Sequence, residues 1–537
     1  MVRMSFLLVA SAAGLSFAVP ALAQSSDASR IIDEGLNRSR VMLTASELMD
    51  GIGPRLTASS NIRKAEDWAL AKFQGYGLAN VHREPWEFGR GWSFDNASAT
   101  MVAPRRVRMT VIPIAWTPGT NGAALRAPII VAPISKVEHF AAWRGKLAGR
   151  IVLVSLPGSA VAEDKNPVFQ RFSDKDIAEE DRYELPTYDP ETLDRRMKRF
   201  QFAKQLDEFL RGEGALAWVR KSYRDGGLVS GEGYSYLAGQ SPSLPGFELT
   251  AEDYRRLARL AKTGPAPTVE LMSDARFDDT SRMANNIIAD LPGSDPKAGY
   301  VMAGAHFDSW VAGDGAADNG AGSAVVLEAA RILRQLGVRP KRTIRFALWE
   351  GEEQGLLGSR AYIEQHLASR PIPAGMDGLT AYFTWGTRFP IQKKPGYDQL
   401  KAYFNMDNGS GKFRGIYAEN NSAAAPLLRE WMAPYNALGA DRIVAGKTGG
   451  TDHVFLQAIG LQGFQFIQDP LDYESRVHHS NVDTLDHVRG DDMRQAAVVM
   501  AGMLLAAANN DKELPRPPLP TQPTATDPFA YADPDKL

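Results

Sequence analysis

From about Asn285 to about Ala507, short apolar runs such as Tyr300–Ala305 and Thr343–Trp349 alternate with helical stretches. One of these, Ala321–Leu336, places Val325, Ala329, Ile332 and Leu336 on a single stripe, the spacing of an amphipathic helix. Strand–helix alternation leaves few ways to bury the apolar faces. The expected solution is an α/β fold, a mixed central sheet with helices on both faces. In open sheets of this kind ligands gather beyond the carboxyl ends of the strands, so the residues following each apolar run are where chemistry is expected.

Five segments there carry groups able to hold a cation. Ala303-Gly304-Ala305 runs into His306-Phe307-Asp308. Residues two apart in extended chain share a face, so Asp308 is expected to reach the His306 ring and fix its tautomer, as partners of metal-bound histidines do. Gly313 to Gly320 is a glycine-dense loop ahead of a helix, suited to close backbone approach to a ligand. Within it Asp318 or Asn319 would also serve as a helix N-cap, and Asp314 reads as a turn residue. The run Phe346–Trp349 leads into Glu350, Glu352 and Glu353, three acids that would repel one another without a cation. Two adjacent carboxylates can divide metal binding from proton handling. Tyr403–Met406 ends in Asp407, and Val477 precedes the pair His478-His479.

The chain has no cysteine, which excludes thiol catalysis and thiolate ligands, and any metal must be held by carboxylates and the eight histidines. That donor chemistry suits a catalytic zinc pair, with cobalt or manganese as substitutes. With 61 basic and 63 acidic residues the net charge is -2, so neither nucleic acid nor an anionic membrane is an expected partner. At the start, Arg3, the apolar run Ser5–Val19 and the small residues of Pro20-Ala21-Leu22-Ala23 read as a signal peptide over 1–23, cleaved before Gln24. The run falls short of the roughly 20 apolar residues a membrane span needs. No cysteine follows to carry a lipid, so an exported, periplasmic or extracellular protein without a stable membrane anchor is expected.

Five stretches together resemble the M28 metallopeptidases, and within them the carboxypeptidase Q branch: His306–Trp310, Leu336–Thr343, Trp349–Gly355, Gly450–Asp452 and His478–Thr484. Weaker similarity extends over nearly the whole mature chain, including Gly53-Pro54-Arg55-Leu56-Thr57. The resemblance implies a zinc-exopeptidase fold holding two zinc ions. Asp318 would bridge them, His306 and Asp407 would complete one, and Glu353 and His479 the other. Glu352 would be the general base acting on a metal-activated water, and Asp308 would orient His306. Asn319 departs from the family, where a second Asp is frequent, without removing a ligand.

The Ser-x-x-Asp-Thr spacing that follows favours His479 over His478. His487 is assigned to a solvated helix start, and Thr451-Asp452 to a cap before Val454, which sets His453 aside. Trp349 and Tyr473 read as packing or cleft-wall residues.

By the same resemblance, 24–121 is the N-terminal part of the catalytic domain and 122–274 an inserted, β-rich protease-associated lid. Residues 275–512 form the catalytic domain, and 513–537 a Pro-rich tail expected to be extended or disordered. The implied substrates are dipeptides or short peptides, and similar enzymes pair into homodimers. An aminopeptidase on the same metal site is the alternative. A glutaminyl cyclase fits the lid and the motif match less well, and a non-catalytic binding module would be expected to have lost ligands or Glu352.

Overall fold

Register decides which of these strand ends meet. Tyr300–His306 lies parallel to Thr343–Trp349, with His306 opposite Trp349, and parallel to Leu400–Asn405 on its other side. Leu400–Asn405 is in turn parallel to Gly463–Gln468. Four carboxyl ends therefore open onto one edge. Around them an eight-stranded sheet runs in the order Ala79–Glu87, Met283–Leu291, Thr343–Trp349, Tyr300–His306, Leu400–Asn405, Gly463–Gln468, Phe413–Tyr417, Arg442–Val444. Its first two strands pair antiparallel with their neighbours, as do Phe413–Tyr417 and Gly463–Gln468, so the sheet is mixed. This computed structural model describes residues 26–160, 167–183, 193–237, 239–240, 242–376 and 378–522, and the expected signal peptide lies outside the described residues.

The pleat sends alternate side chains to opposite layers. Val301, Ala303, Ala305, Phe346 and Leu348 pack in one core against the helices Asp27–Asn37, Val41–Met49, Ser60–Gly75, Ala321–Gln335 and Gly490–Asn509. Met302, Ala347 and Trp349 face the other layer, with Tyr362, Leu367, Trp385 and Leu456. Ala321–Gln335 departs from the expected one-sided stripe: every residue from Ala321 to Leu333 is buried. Other helices cover its outer face, where the charged Glu328 and Arg331 are buried in an ion-pair cluster with Glu34. Among the described residues no helix is long and apolar enough to cross a membrane.

A second eight-stranded sheet has its own core, built on Met101, Ile129, Leu153, Val219, Phe247 and Leu271. It includes Ala97–Ala103, Val107–Met109 and Val111–Pro113, which were expected to belong to the catalytic half. The cause is pairing: Ala97–Ala103 lies antiparallel to Thr268–Ser273, so this sheet begins well before Gly122. The chain enters and leaves it along a two-stranded ribbon, Gly91–Ser93 against Arg276–Asp278. An aromatic cluster of Trp86, Phe88, Trp92, Trp116, Tyr236 and Trp310 joins the two sheets' territories.

The start of the Pro-rich tail is packed rather than free. Leu514 is buried in the main core, the carbonyl of Pro515 accepts from Asn421 at 2.7 Å, and Arg516 donates to the carbonyl of Leu400 at 2.6 Å. Leu514→Ala should therefore lower stability by about 2–3 kcal/mol, read as a shifted urea midpoint. An unshifted midpoint would show that this strap bears no load.

Candidate metal centre

His306 ends its strand with the ring buried, and Nδ1 lies 3.0 Å from the main-chain carbonyl of Asp308. A carbonyl only accepts, so Nδ1 carries the proton and Nε2 turns its lone pair towards the acids. The Asp308 carboxylate, expected to do this, stands 3.8 Å from Nδ1. It instead accepts the backbone N–H groups of Glu352 and Glu353, at 3.2 and 3.3 Å, and the Thr57 hydroxyl at 3.0 Å. The Asp308 carbonyl thus fixes the tautomer, and its carboxylate sets the path of the acidic loop.

Asp318 lies between the two histidines. Its Oδ1 is 3.2 Å from His306 Nε2, and its Oδ2 is 3.2 Å from His479 Nε2. Asp407 Oδ1 flanks the first ring at 3.5 Å, and Glu353 Oε2 the second at 2.9 Å. Glu352 Oε2 is 4.0 Å from His306 Nε2. All five residues expected as ligands, and Glu352, thus converge. His478 also comes near, with Nε2 3.7 Å from Asp318 Oδ2. His453 does not; it is buried 3.0 Å from the Thr448 hydroxyl. His487 pairs with Asp472 at 2.6 Å and is only partly exposed, not part of a solvated start.

The electrostatics are those of crowded acids. Burial alone would lower His306, yet Asp407, Glu352 and Asp318 push it well above its usual range. Burial, with Asp407 and Glu353 adding, lifts Glu352 well above an ordinary carboxylate. Glu353 is pushed up to about 7, chiefly by burial. Asp318 is desolvated but held below its usual range by the histidines around it. Asp318 Oδ2 and Glu353 Oε1 are buried without a hydrogen-bond partner among the described residues. Buried carboxylates with orphaned oxygens, gathered around two imidazole nitrogens, are the donor set a divalent cation takes, so the site fits a metal. Glu350 stands apart from the expected trio: its oxygens accept from the N–H groups of Ala58 and Asn285, at 2.8 and 2.5 Å.

Three supports, Asp483, Arg55 and Glu232, were not expected from the sequence. Asp483 holds the Asp318 loop, accepting from the N–H groups of Ala317 and Asp318 at 2.6 and 3.2 Å. Arg55 is wholly buried and donates to the carbonyls of Phe307, Asp314 and Gly315 at 2.8–2.9 Å. Gly315 has φ +60, and a Cβ there would lie 2.3 Å from that of Ser309, so this turn admits only glycine. Asp452 does not cap Val454–Gln457, which has no side-chain cap; burial raises its carboxyl to about 7. Glu232, from the second sheet's territory, accepts from His479 Nδ1 at 3.0 Å. Arg55 and Asp483 lie in segments already singled out by resemblance; for Glu232 the sequence carries no signal, because its partner is 247 residues away.

Residues 286–504 match the model of peptidase family M28. Carboxypeptidase Q of Mus musculus is 25% identical over 471 residues, 87% of this chain and 86% of that one. Residues 286–504 are thus an M28 peptidase region. The chain is accordingly a hydrolase. In this chain, 221 residues are 45% identical to leupeptin-inactivating enzyme 1 of Streptomyces exfoliatus, covering 40% of this chain and 46% of that enzyme. The fold matches an M28 peptidase precursor from Shewanella amazonensis, with TM-score 0.63, 22% identity, and coverage of 92% and 98% of the two chains. It also matches BSAP, a zinc aminopeptidase from Bacillus subtilis, at TM-score 0.54 and 19% identity, covering 88% and 95%.

Proposed function

We propose that this protein is an exported exopeptidase of the carboxypeptidase Q kind, acting on dipeptides or short peptides with two zinc ions. The observation that carries the reading is the Asp318 carboxylate, with one oxygen directed to His306 and the other to His479. His306 and Asp407 would hold one ion, His479 and Glu353 the other, with Asp318 shared. Bound zinc would polarise the scissile carbonyl and make a water acidic enough to lose its proton near neutral pH. Glu352 takes that proton and returns it to the leaving amine. Buried beside Asp407 and Glu353, its carboxyl gains basicity from its surroundings. Asp308 holds the Glu352–Glu353 turn in place through its two backbone contacts. Trp310, whose ring lies 6.2 Å from that of His479, walls the site together with Gly313, Gly315 and Ser480. This narrowness favours chain ends over internal bonds.

The test is hydrolysis of free dipeptides and of N-blocked or C-blocked peptides, with and without a chelator. Free dipeptides should be cleaved, chelation should abolish cleavage and added zinc restore it, and C-terminal amidation should suppress it. Loss on N-acetylation instead would make the enzyme an aminopeptidase. Cleavage inside doubly blocked peptides, or full activity after metal removal, would overturn the proposal.

A further inference from the structure

His479 has left-handed backbone, φ +54, which a residue with a Cβ rarely adopts without being held. What holds it comes from the second sheet's territory. Arg224 donates to the carbonyl of His478 at 2.7 Å. Val229 and Asn481 exchange two bonds, Asn481 N–H to the Val229 carbonyl at 3.0 Å and Val229 N–H to Asn481 Oδ1 at 2.9 Å. Between these brackets, Glu232 Oε1 lies 3.0 Å from His479 Nδ1. Ser230 and Tyr234 fix the same carboxylate at 3.2 and 3.3 Å. Arg224, Val229, Ser230, Glu232 and Tyr234 all lie on the segment joining the strands Ala217–Lys221 and Gly246–Leu249.

We infer that Glu232 is the positioning residue of His479, so that the inserted sheet completes the metal centre rather than only covering it. A carboxylate can only accept from Nδ1–H, which commits the Nε2 lone pair to the side of Glu353 and Asp318. The two histidines are thus oriented by different means: His306 by a carbonyl two residues away in its own loop, His479 by a side chain from another sheet. Undocking the 222–236 segment would release the second ring and leave the first intact.

This rests on the proposed role of His479 as a metal ligand, and the experiment separates the two. Zinc content and dissociation constants of the full mature chain are measured by competition with a chromogenic chelator. Glu232→Ala, Glu232→Gln, Arg224→Ala and His479→Ala are compared. Glu232→Ala should weaken one of the two ions about 10–100-fold and leave the other unchanged. Glu232→Gln should lose less, since its amide oxygen still accepts, and Arg224→Ala should weaken the same ion. His479→Ala should lose that ion outright. Wild-type affinity in Glu232→Ala alongside loss in His479→Ala overturns the inference alone. Wild-type affinity in His479→Ala overturns the ligand assignment beneath it. Unchanged zinc with a raised KM confined to substrates bearing a free α-amine would make Glu232 a substrate anchor and also overturn the inference. Thermal melts of the metal-free variants identify any that fail to fold.

Discussion

Glu352→Gln should bind zinc as the parent does and turn over dipeptides about 10²–10⁴-fold more slowly. The amide keeps the shape of the side chain but cannot take a proton from water, so the loss should fall on kcat. The substitution should not destabilise the metal-free chain. Glu352 is buried beside Asp407 and Glu353, and its carboxyl is raised well above the ordinary range. An acid raised in the folded state opposes folding once it ionises, which a neutral amide avoids. Below the unfolded carboxylate range the two chains should be equally stable. As pH climbs towards the raised folded value, the variant should become relatively more stable. The checks are kcat on a dipeptide, zinc by atomic absorption, and metal-free melting temperature against pH. Turnover within tenfold of the parent would remove Glu352 from the proton path, and a parallel loss of zinc would make it a ligand.

The acids Glu350, Glu352 and Glu353 could be picked out in the sequence because the groups of the site sit just beyond apolar runs; the resemblance chose Glu352 among them as the base. His306, Glu353 and Asp407 follow three strands that the register makes parallel neighbours, so reading along the chain is nearly reading along the sheet edge. Asp318 and His479 lie on loops, where no strand end points to them, and for all five ligands it was the resemblance that assigned the role. The failures have a common cause. The carbonyl and carboxylate of the one residue Asp308 take different partners, which a two-residue face rule cannot distinguish. Thr451-Asp452 has cap chemistry, but its surroundings bury the acid among other charges and leave the helix uncapped. The second sheet begins at Ala97 because that strand pairs with Thr268–Ser273, a partner that local pattern cannot name. Tertiary pairing outranks local propensity in each case.

Arg55→Ala should be the most damaging single substitution away from the ligands. The guanidinium has no exposure and donates to four carbonyls, those of Gly53, Phe307, Asp314 and Gly315. Burial lowers it to about 10, with Asp483, Asp308, Asp314 and Asp318 opposing the shift, so it remains a cation behind the acidic loops. Alanine removes that charge, leaves buried carbonyls without donors and opens a cavity. Each orphaned group costs about 1–3 kcal/mol before relaxation and water entry offset part of it. A net loss of about 3–5 kcal/mol is expected. Arg55→Met fills most of the volume without any donor and should lose nearly as much, whereas a cavity-dominated site would be largely rescued by it. Because Phe307 and Gly315 flank His306 and Asp318, backbone amides from 307 to 318 should exchange with solvent faster, and zinc should be released at lower chelator concentrations. Protection of that segment unchanged in Arg55→Ala would mean that the acidic loops are held by Asp483 and the strand ends alone, with Arg55 a passenger.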